Sequence, residues 1–225
     1  MTITPSQRNV TIMFTDIVGY SAMIGKNESH ALKLLDEHNQ TIEPTIKSKN
    51  GRIIKHIGDA IFAEFDSPTD AVYASIIFQN KFKERNELSR REDHIQIRVG
   101  LHKGEVVVKD DDLFGNAVNI GSRIESTSPP GGIAISSEIR NNIDSTSYSI
   151  RSMGHVKLKN ISQPLEIFKV YLDKEDFESE NAQTLRQLQI ERGINIVDIA
   201  SFQEKKEYPV SILYPHVIGK EENDY

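Results

Sequence analysis

FTDIVGYS, residues 14–21, joins an apolar run to a glycine turn and decides the predicted fold. The preceding residues are β-branched and apolar, which predicts a strand, and its period of two puts Ile12, Phe14 and Asp16 on one face. A carboxylate at the end of an apolar row is costly to bury alone, so we expect Asp16 to lie where the strand opens onto a site. Gly19 permits a close turn into a helix, an arrangement that suits a metal-bound phosphate. On this stretch alone, an ordinary strand-to-helix turn explains the pattern equally well.

The composition is that of a soluble globular protein and excludes several classes of function. The chain has 225 residues, which fits one domain of about 170 residues with an extension better than two full domains. A formal net charge of −6 without a basic run argues against non-specific nucleic-acid binding. There are no cysteines, so a metal must be held by oxygen or histidine, and Mg²⁺ or Mn²⁺ is expected. Without a signal core or a membrane-spanning run, the chain is predicted to be cytoplasmic.

A second carboxylate follows in GRIIKHIGDAIFAEF, residues 51–65. Two apolar runs flank Gly58 and Asp59, a pattern that predicts a hairpin with a tight turn. We expect strand pairing to bring Asp59 beside Asp16, and two such carboxylates are what a two-metal site requires. The alternative is that Asp59 is only a turn residue. Lys55, in the first apolar run, is interpreted either as an edge-strand residue or as a donor to a nucleobase.

A helix and a further hairpin are predicted around these strands. Residues 28–49 have a helical pattern, and Pro44 inside it is expected to kink the helix or split it. Residues 94–102 alternate as a strand, and Gly104 is expected to turn the chain back as a second hairpin.

One polar stripe marks an amphipathic helix that begins near Gly115. Asn116, Asn119 and Arg123 lie at i, i+3 and i+7 and therefore face one direction. By itself the stripe is a weak indication of a site, and a solvated helix face is the preferred alternative.

The character of the chain changes towards its C-terminus. A final antiparallel strand pair is predicted over residues 148–158 and 165–171. Residues 173–225 contain a polar, acidic helix-like segment and a strand-like run, residues 209–213, without a partner. We interpret this part as a linker with a helix and the truncated start of a downstream region.

Five segments in this order, FTDIVGYS, IIKHIGDAIFAEF, VGLHKGEV, DLFGNAVNIGSR and PPGGIAIS, resemble the class III adenylyl/guanylyl cyclase catalytic domain. The resemblance covers roughly residues 8 to 172, so that residues 1–172 are expected to form the catalytic domain. It implies an α+β fold with a ferredoxin-like βαββαβ core and extra C-terminal strands and helix. It also implies a head-to-tail homodimer with active sites shared between the subunits.

The resemblance assigns the metal and phosphate sites. Asp16 and Asp59 correspond to the two metal-binding aspartates, assisted by the carbonyl of Ile17, with two Mg²⁺ or Mn²⁺ ions per active site. The β- and γ-phosphates would be held by the backbone N–H groups of Ile17, Val18, Gly19, Tyr20 and Ser21.

The resemblance also assigns the residues that read the base. Lys55 and Asp112, from the partner subunit, correspond to the pair that reads adenine in adenylyl cyclases, where guanylyl cyclases carry glutamate and cysteine. Three consecutive aspartates leave a one-residue uncertainty in which acid reads the base, and the alignment to DLFG favours Asp112. The substrate is therefore expected to be ATP.

Three further residues have expected roles in catalysis. Asn119 would orient the ribose, and Arg123 would neutralise the charge that grows at the α-phosphate. Lys159 is the better match to the lysine that binds the triphosphate, and Lys157 remains open as an alternative.

The expected function is that of an adenylate cyclase, which converts ATP to 3′,5′-cyclic AMP and pyrophosphate. The alternatives are a catalytically silent cyclase-homology module, a guanylate cyclase, and a non-enzymatic interaction domain. A diguanylate cyclase is disfavoured because its Gly-Gly-acid-acid turn is absent from the hairpin at residues 57–60. Residues 212–225 faintly resemble the opening of a TolB-like segment, which would place a regulatory domain outside this chain.

Overall fold

The computed structural model describes residues 6–144 and 146–204 of the chain. The strands are β1 (Ser6–Ile17), β2 (Arg52–Ile57), β3 (Ala60–Phe65), β4 (Ile97–Lys109), β5 (Asp112–Phe114), β6 (Ile133–Ser136), β7 (Ile150–Val156), β8 (Leu165–Val170) and β9 (Ile196–Val197). The helices are α1 (Tyr20–Lys26), α2 (Glu28–Ser48), α3 (Pro68–Glu87), α4 (Asn116–Thr127), α5 (Ser137–Arg140), α6 (Lys174–Ser179), α7 (Ala182–Glu191) and α8 (Ile199–Glu204), with a short 3₁₀ helix at Arg91–Asp93.

The strands form one mixed sheet in the order β2-β3-β1-β4-β6-β8-β7-β9, with β5 paired to β4. Strands β1 to β4, with the helices between them, form a βαββαβ unit in the spatial order β4-β1-β3-β2, and its neighbouring strands are antiparallel. Strand β6 joins β4 in parallel, and β8, β7 and β9 follow as antiparallel neighbours. The predicted α+β fold with a ferredoxin-like core and extra C-terminal strands is confirmed.

Alternation along β1 separates two apolar cores on the two faces of the sheet. Met13 and Ile17 face the core that contains the buried side chains of α2 and α3. Ile12 and Phe14 face the opposite core, which they share with Ala117 of α4. As predicted from the period of two, the face of Ile12 and Phe14 is therefore the one that leads to Asp16.

Helix α4 lies unusually close to the sheet because glycines line the contact. A Cβ atom built on Gly100 of β4 would lie 2.1 Å from the backbone nitrogen of Glu125, closer than any real contact allows. A Cβ on Gly121 of α4 would lie 2.8 Å from the side chain of Ile12. The absence of both side chains allows the helix backbone to approach β1 and β4 directly.

The predicted hairpin at Gly104 is wrong. Strand β4 runs through Gly104 without a turn and pairs with β1 along its length, from Ile97 opposite Ile17 to Val108 opposite Ser6. Gly104 instead makes room for α4, since an added Cβ would lie 2.7 Å from that of Ala117. The chain turns later, at Asp110 and Asp111, whose φ angles of 51° and 59° are left-handed. Aspartate tolerates this conformation better than most residues do, so Asp110 and Asp111 suit the turn.

Of the two outcomes expected at Pro44, a kink or a split, the split is wrong, because α2 is one helix of 21 residues. Leu34, Ile42 and Ile46 are buried in the same core, on both sides of the proline. Tertiary packing of this apolar face therefore holds the helix together across the missing backbone hydrogen bond.

The described part of the C-terminal region packs on the domain. Helix α7 buries Leu185, and β9 adds a two-residue strand to the sheet beside β7. The strand predicted over residues 209–213 and the TolB-like resemblance over residues 212–225 lie outside the described residues.

We expect Gly100→Ala to lower the free energy of unfolding by about 2–3 kcal/mol, because its Cβ would push α4 off the sheet. Gly25→Ala is the matched control: nothing lies within 4 Å of its added Cβ, and alanine favours a helix by up to about 1 kcal/mol. Urea denaturation of both variants measures the difference. Equal stability of Gly100→Ala and the wild type would contradict the close contact of α4 with β4.

Candidate active site

Asp16 lies at the end of β1, directly opposite Arg98 of β4 in the antiparallel register. The guanidinium of Arg98 forms an ion pair with its carboxylate. On its other side, Nε of Arg98 lies 2.9 Å from Oε1 of Glu125 on α4. Asp16 is therefore stabilised by a cation that is itself held between two carboxylates.

Asp59 lies in the β2–β3 turn and reaches the end of β1, since its Oδ2 accepts a hydrogen bond from the Ile17 N–H at 3.0 Å. Burial and the nearby charge of Asp16 raise the pKa of the Asp59 carboxyl. Two carboxylates that repel each other in this way attract a cation between them. The structure thus brings Asp16 and Asp59 together, as the sequence predicted.

The two carboxylates fit a hard divalent cation. Among residues 6–144 and 146–204, no cluster of three or more His, Asp or Glu side chains forms a metal site. A site with one or two carboxylates is nevertheless what Mg²⁺ uses when substrate phosphates supply further ligands. The Ile17 carbonyl belongs to the residue next to Asp16, at the end of the same strand.

The predicted phosphate loop follows β1, with Gly19 in a left-handed conformation (φ 77°) as the residue before α1. Two of its five N–H groups are already bonded within the chain: that of Ile17 to Asp59, and that of Val18 to the carbonyl of Gln96 at 2.8 Å. No described hydrogen bond engages the N–H groups at positions 19–21, which open the first turn of α1. The N–H groups of the loop that are available to a ligand are therefore those at positions 19–21.

Lys55 and Asp112 contact each other, with 2.5 Å between Nζ and Oδ2. Lys55 lies on β2, which is the first strand in the sheet order. The register between β2 and β3 shifts just before this residue. The hydrogen bond from Lys55 lowers the pKa of Asp112, which also accepts a hydrogen bond from the N–H of Leu113 at 2.9 Å. Lysine and aspartate are therefore held as a charged donor and acceptor side by side.

A pocket of about 470 Å³ opens beside this pair. Phe14 and Phe62 line it as stacked rings, with centroids 4.6 Å apart and planes 6° from parallel. Asn119 lines the same pocket, which includes Lys55 but none of the carboxylates at the end of β1. Flat apolar rings with a few polar groups at one side suit a planar heterocycle.

Arg123 lines a different groove of about 310 Å³, together with Lys157 and Lys159. Lys157 donates hydrogen bonds to the carbonyls of Ile161 at 2.9 Å and Ser162 at 2.6 Å. Lys159 is exposed, and no described contact engages its ammonium group. Of the two lysines, Lys159 is thus the one whose charge is available to a ligand.

The predicted site residues consequently form separate groups on one chain. Asp16, Asp59 and the loop lie together at the end of β1, whereas Asn119 and Arg123 lie along α4. No hydrogen bond or ion pair within residues 6–144 and 146–204 joins the two groups. Neither of the pockets lined by Asn119 and Arg123 includes Asp16 or Asp59.

Arg98 and Glu125 were missed by the sequence-based interpretation. Burial raises the pKa of Glu125 to about 7, against the opposing effect of Arg98. Arg98 places a charged side chain within the apolar alternation of β4, and this feature could have indicated a site from the sequence. Its partner depends on strand register, which is not visible in the sequence.

None of the helices in the described part of the chain has the length and apolar character needed to cross a membrane.

Comparisons with known proteins identify the family of the chain. Residues 3–173 match the family described as the adenylate and guanylate cyclase catalytic domain. Putative adenylate cyclase 3 of Rhizobium meliloti is 33% identical over 165 residues, which cover 72% of this chain and 28% of that protein. An adenylate cyclase of Anabaena cylindrica is 32% identical, with 73% and 37% covered. The chain thus spans less than two fifths of the length of these relatives.

The fold also matches solved structures. An adenylate/guanylate cyclase/hydrolase from Silicibacter pomeroyi superposes with a TM-score of 0.68 at 30% identity, covering 76% of this chain and all of that one. From its fold, its paired carboxylates and the match over residues 3–173, the chain belongs to the class III adenylate and guanylate cyclase catalytic domain family.

Proposed function

We propose that this cyclase domain is an adenylate cyclase, which converts ATP to 3′,5′-cyclic AMP and pyrophosphate. The observation that carries the proposal is the Lys55–Asp112 pair beside the aromatic pocket. Adenine presents an acceptor at N1 and a donor at its 6-amino group, which lysine and aspartate complement. Guanine presents a donor at N1 and an acceptor at O6, which would leave both side chains without partners.

The active site is proposed to form between two copies of the chain. One subunit supplies Asp16, Asp59 and the loop. Its partner supplies the two residues that read the nucleobase, Lys55 and Asp112, together with Asn119 and Arg123. This arrangement accounts for the separation of these groups on one chain, and a two-fold dimer then has two equivalent sites. Because of this two-fold symmetry, each chain contributes residues to both sites.

The two carboxylates would hold Mg²⁺ or Mn²⁺, two ions per site, with the Ile17 carbonyl assisting one of them. The bound ions would lower the pKa of the ribose 3′-hydroxyl and stabilise charge on the phosphates. The open N–H groups at positions 19–21 would donate to the β- and γ-phosphates. Arg98, beside Asp16, adds a positive charge to this end of the site.

The residues of α4 would act on the reacting part of ATP. Asn119 would orient the ribose so that its 3′-oxygen attacks the α-phosphorus in line and pyrophosphate leaves. Arg123 would donate to the α-phosphate oxygens where negative charge grows, and Lys159 would bind the triphosphate. Positioning and electrostatic stabilisation are the main contributions of a protein to phosphoryl transfer.

We expect the purified chain with Mn²⁺ to form cyclic AMP from ATP and little cyclic GMP from GTP in parallel assays. Asp16→Ala should lower the rate at least about a hundredfold, because metal polarisation contributes several kcal/mol to the transition state. Asp66→Ala, at an exposed carboxylate without a described contact, is the matched control and should retain activity. Cyclic GMP as the main product would show that Lys55 and Asp112 do not read adenine.

Shared sites predict that two inactive variants restore each other. Asp59→Ala removes the metal half and Arg123→Ala the α4 half, so a mixed dimer retains one whole site. With free exchange, half of the dimers are mixed and each has one working site, so activity should return to roughly a quarter of wild type. If subunit exchange is demonstrated by light scattering with tagged chains and the mixture stays inactive, the sites are not shared.

The two lysines of the groove should respond differently to substitution. Lys159→Ala should raise the KM for ATP roughly tenfold, as expected for the loss of one charge-assisted contact to phosphate. Lys157→Ala should instead lower the melting temperature, because the carbonyls of Ile161 and Ser162 lose their donor. A raised KM in Lys157→Ala with an unchanged KM in Lys159→Ala would reverse the assignment.

A further inference from the structure

The chain continues past the family match at residue 173, and the continuation returns to the helix that carries Asn119 and Arg123. We define the arm as residues 174–197, which comprise α6, α7 and β9. Its Leu185 is 2% exposed and belongs to the same buried cluster as Ile120 and Ile124 of α4. These two residues adjoin Asn119 and Arg123 in the sequence, so the arm shares a buried core with the helix that carries both residues.

Arg192, at the end of α7, binds the C-terminal end of α4. Its Nη1 donates to the carbonyl of Thr127 at 3.0 Å and its Nη2 to that of Ser128 at 2.5 Å. The same guanidinium is oriented by Gln189, whose Oε1 accepts from Nη1 at 2.7 Å. The last carbonyls of a helix lack partners within it, and a cation there is favourable to the helix dipole.

The arm also forms one wall of the groove that contains Arg123 and Lys159. Residues 193–195 line this groove opposite them. The wall is held in place by the sheet, since the N–H of Lys157 donates to the Asn195 carbonyl at 2.8 Å and Ile196 pairs with Val156. The arm therefore contacts both elements that present positive charge to this groove.

We infer that the arm is a positioning element of the active site, and that Arg192 is a positioning residue that acts on catalysis through α4. Capping by Arg192 fixes the last turn of the helix, one turn beyond Arg123. Small misplacement of a transition-state donor lowers the rate more than it lowers substrate affinity. The inference rests on the proposed function and assigns a catalytic contribution to residues outside the cyclase family match.

The first measurement is the steady-state kinetics of Arg192→Ala with Mn²⁺ and ATP. We expect kcat to fall roughly tenfold, about 1.4 kcal/mol of barrier, with a smaller change in KM. Arg192→Lys keeps one donor group and the charge and should be intermediate. Arg186→Ala is the matched control, because Arg186 is an exposed arginine of the same helix without a described contact. An unchanged kcat in Arg192→Ala would overturn the inference.

Subunit mixing separates positioning from a general loss of stability. In the proposed dimer, each site takes its α4 residues from one chain only. The Asp59→Ala variant has an intact α4, so its mixture with Arg192→Ala should reach the same activity as the mixture of Asp59→Ala with Arg123→Ala. Mixing Arg192→Ala with Arg123→Ala should give no recovery, because neither chain then offers an intact α4. Equal recovery in both mixtures, or in neither, would overturn the inference.

The same series distinguishes failure of the inference from failure of the proposed function. A wild-type chain that forms no cyclic nucleotide overturns both together. An active wild type whose Asp59→Ala and Arg123→Ala mixture stays inactive overturns the shared site on which the mixing test depends. If the wild type is active and the mixture of Asp59→Ala with Arg123→Ala recovers activity, the behaviour of Arg192→Ala tests only the role of the arm.

Discussion

The ion pairs among Asp16, Arg98 and Glu125 are the interaction on which the site depends. They join the end of β1, the adjacent strand β4 and helix α4 at one point. Both Asp16 and Arg98 are only partly exposed, so each charge is partly desolvated and is stabilised by a partner of opposite sign. The apolar row of β1 thus ends in a carboxylate that is stabilised by a cation opposite it, and Glu125 lies on the other side of that cation.

The close packing of α4 gives this charge cluster its geometry. Without side chains at Gly100 and Gly121, the helix backbone lies against the strands, and Glu125 reaches Arg98. The same helix carries Asn119 and Arg123 on its outer side. In the proposed dimer, the helix would connect the metal end of one site with the transition-state residues of the other.

Much of the fold was predictable, because its signals are local. The alternation of β1, the hairpin around Gly58 and Asp59, and the start of α4 near Gly115 follow from periodicity and turn chemistry. The errors at Pro44 and Gly104 have one cause. Local propensity favours a break at both residues, and packing against α3 or α4 overrides it.

The sequence by itself determined the fold class, the two carboxylates and the expected preference for adenine, because these depend on residue type and on spacing along the chain. Only the tertiary structure decided which charges meet: Arg98 with Asp16, Lys55 with Asp112, and Arg192 with the end of α4. These pairs are separated by dozens of residues and depend on strand register and helix docking. Register is set by the burial of whole faces, so it becomes visible only when the sheet is assembled.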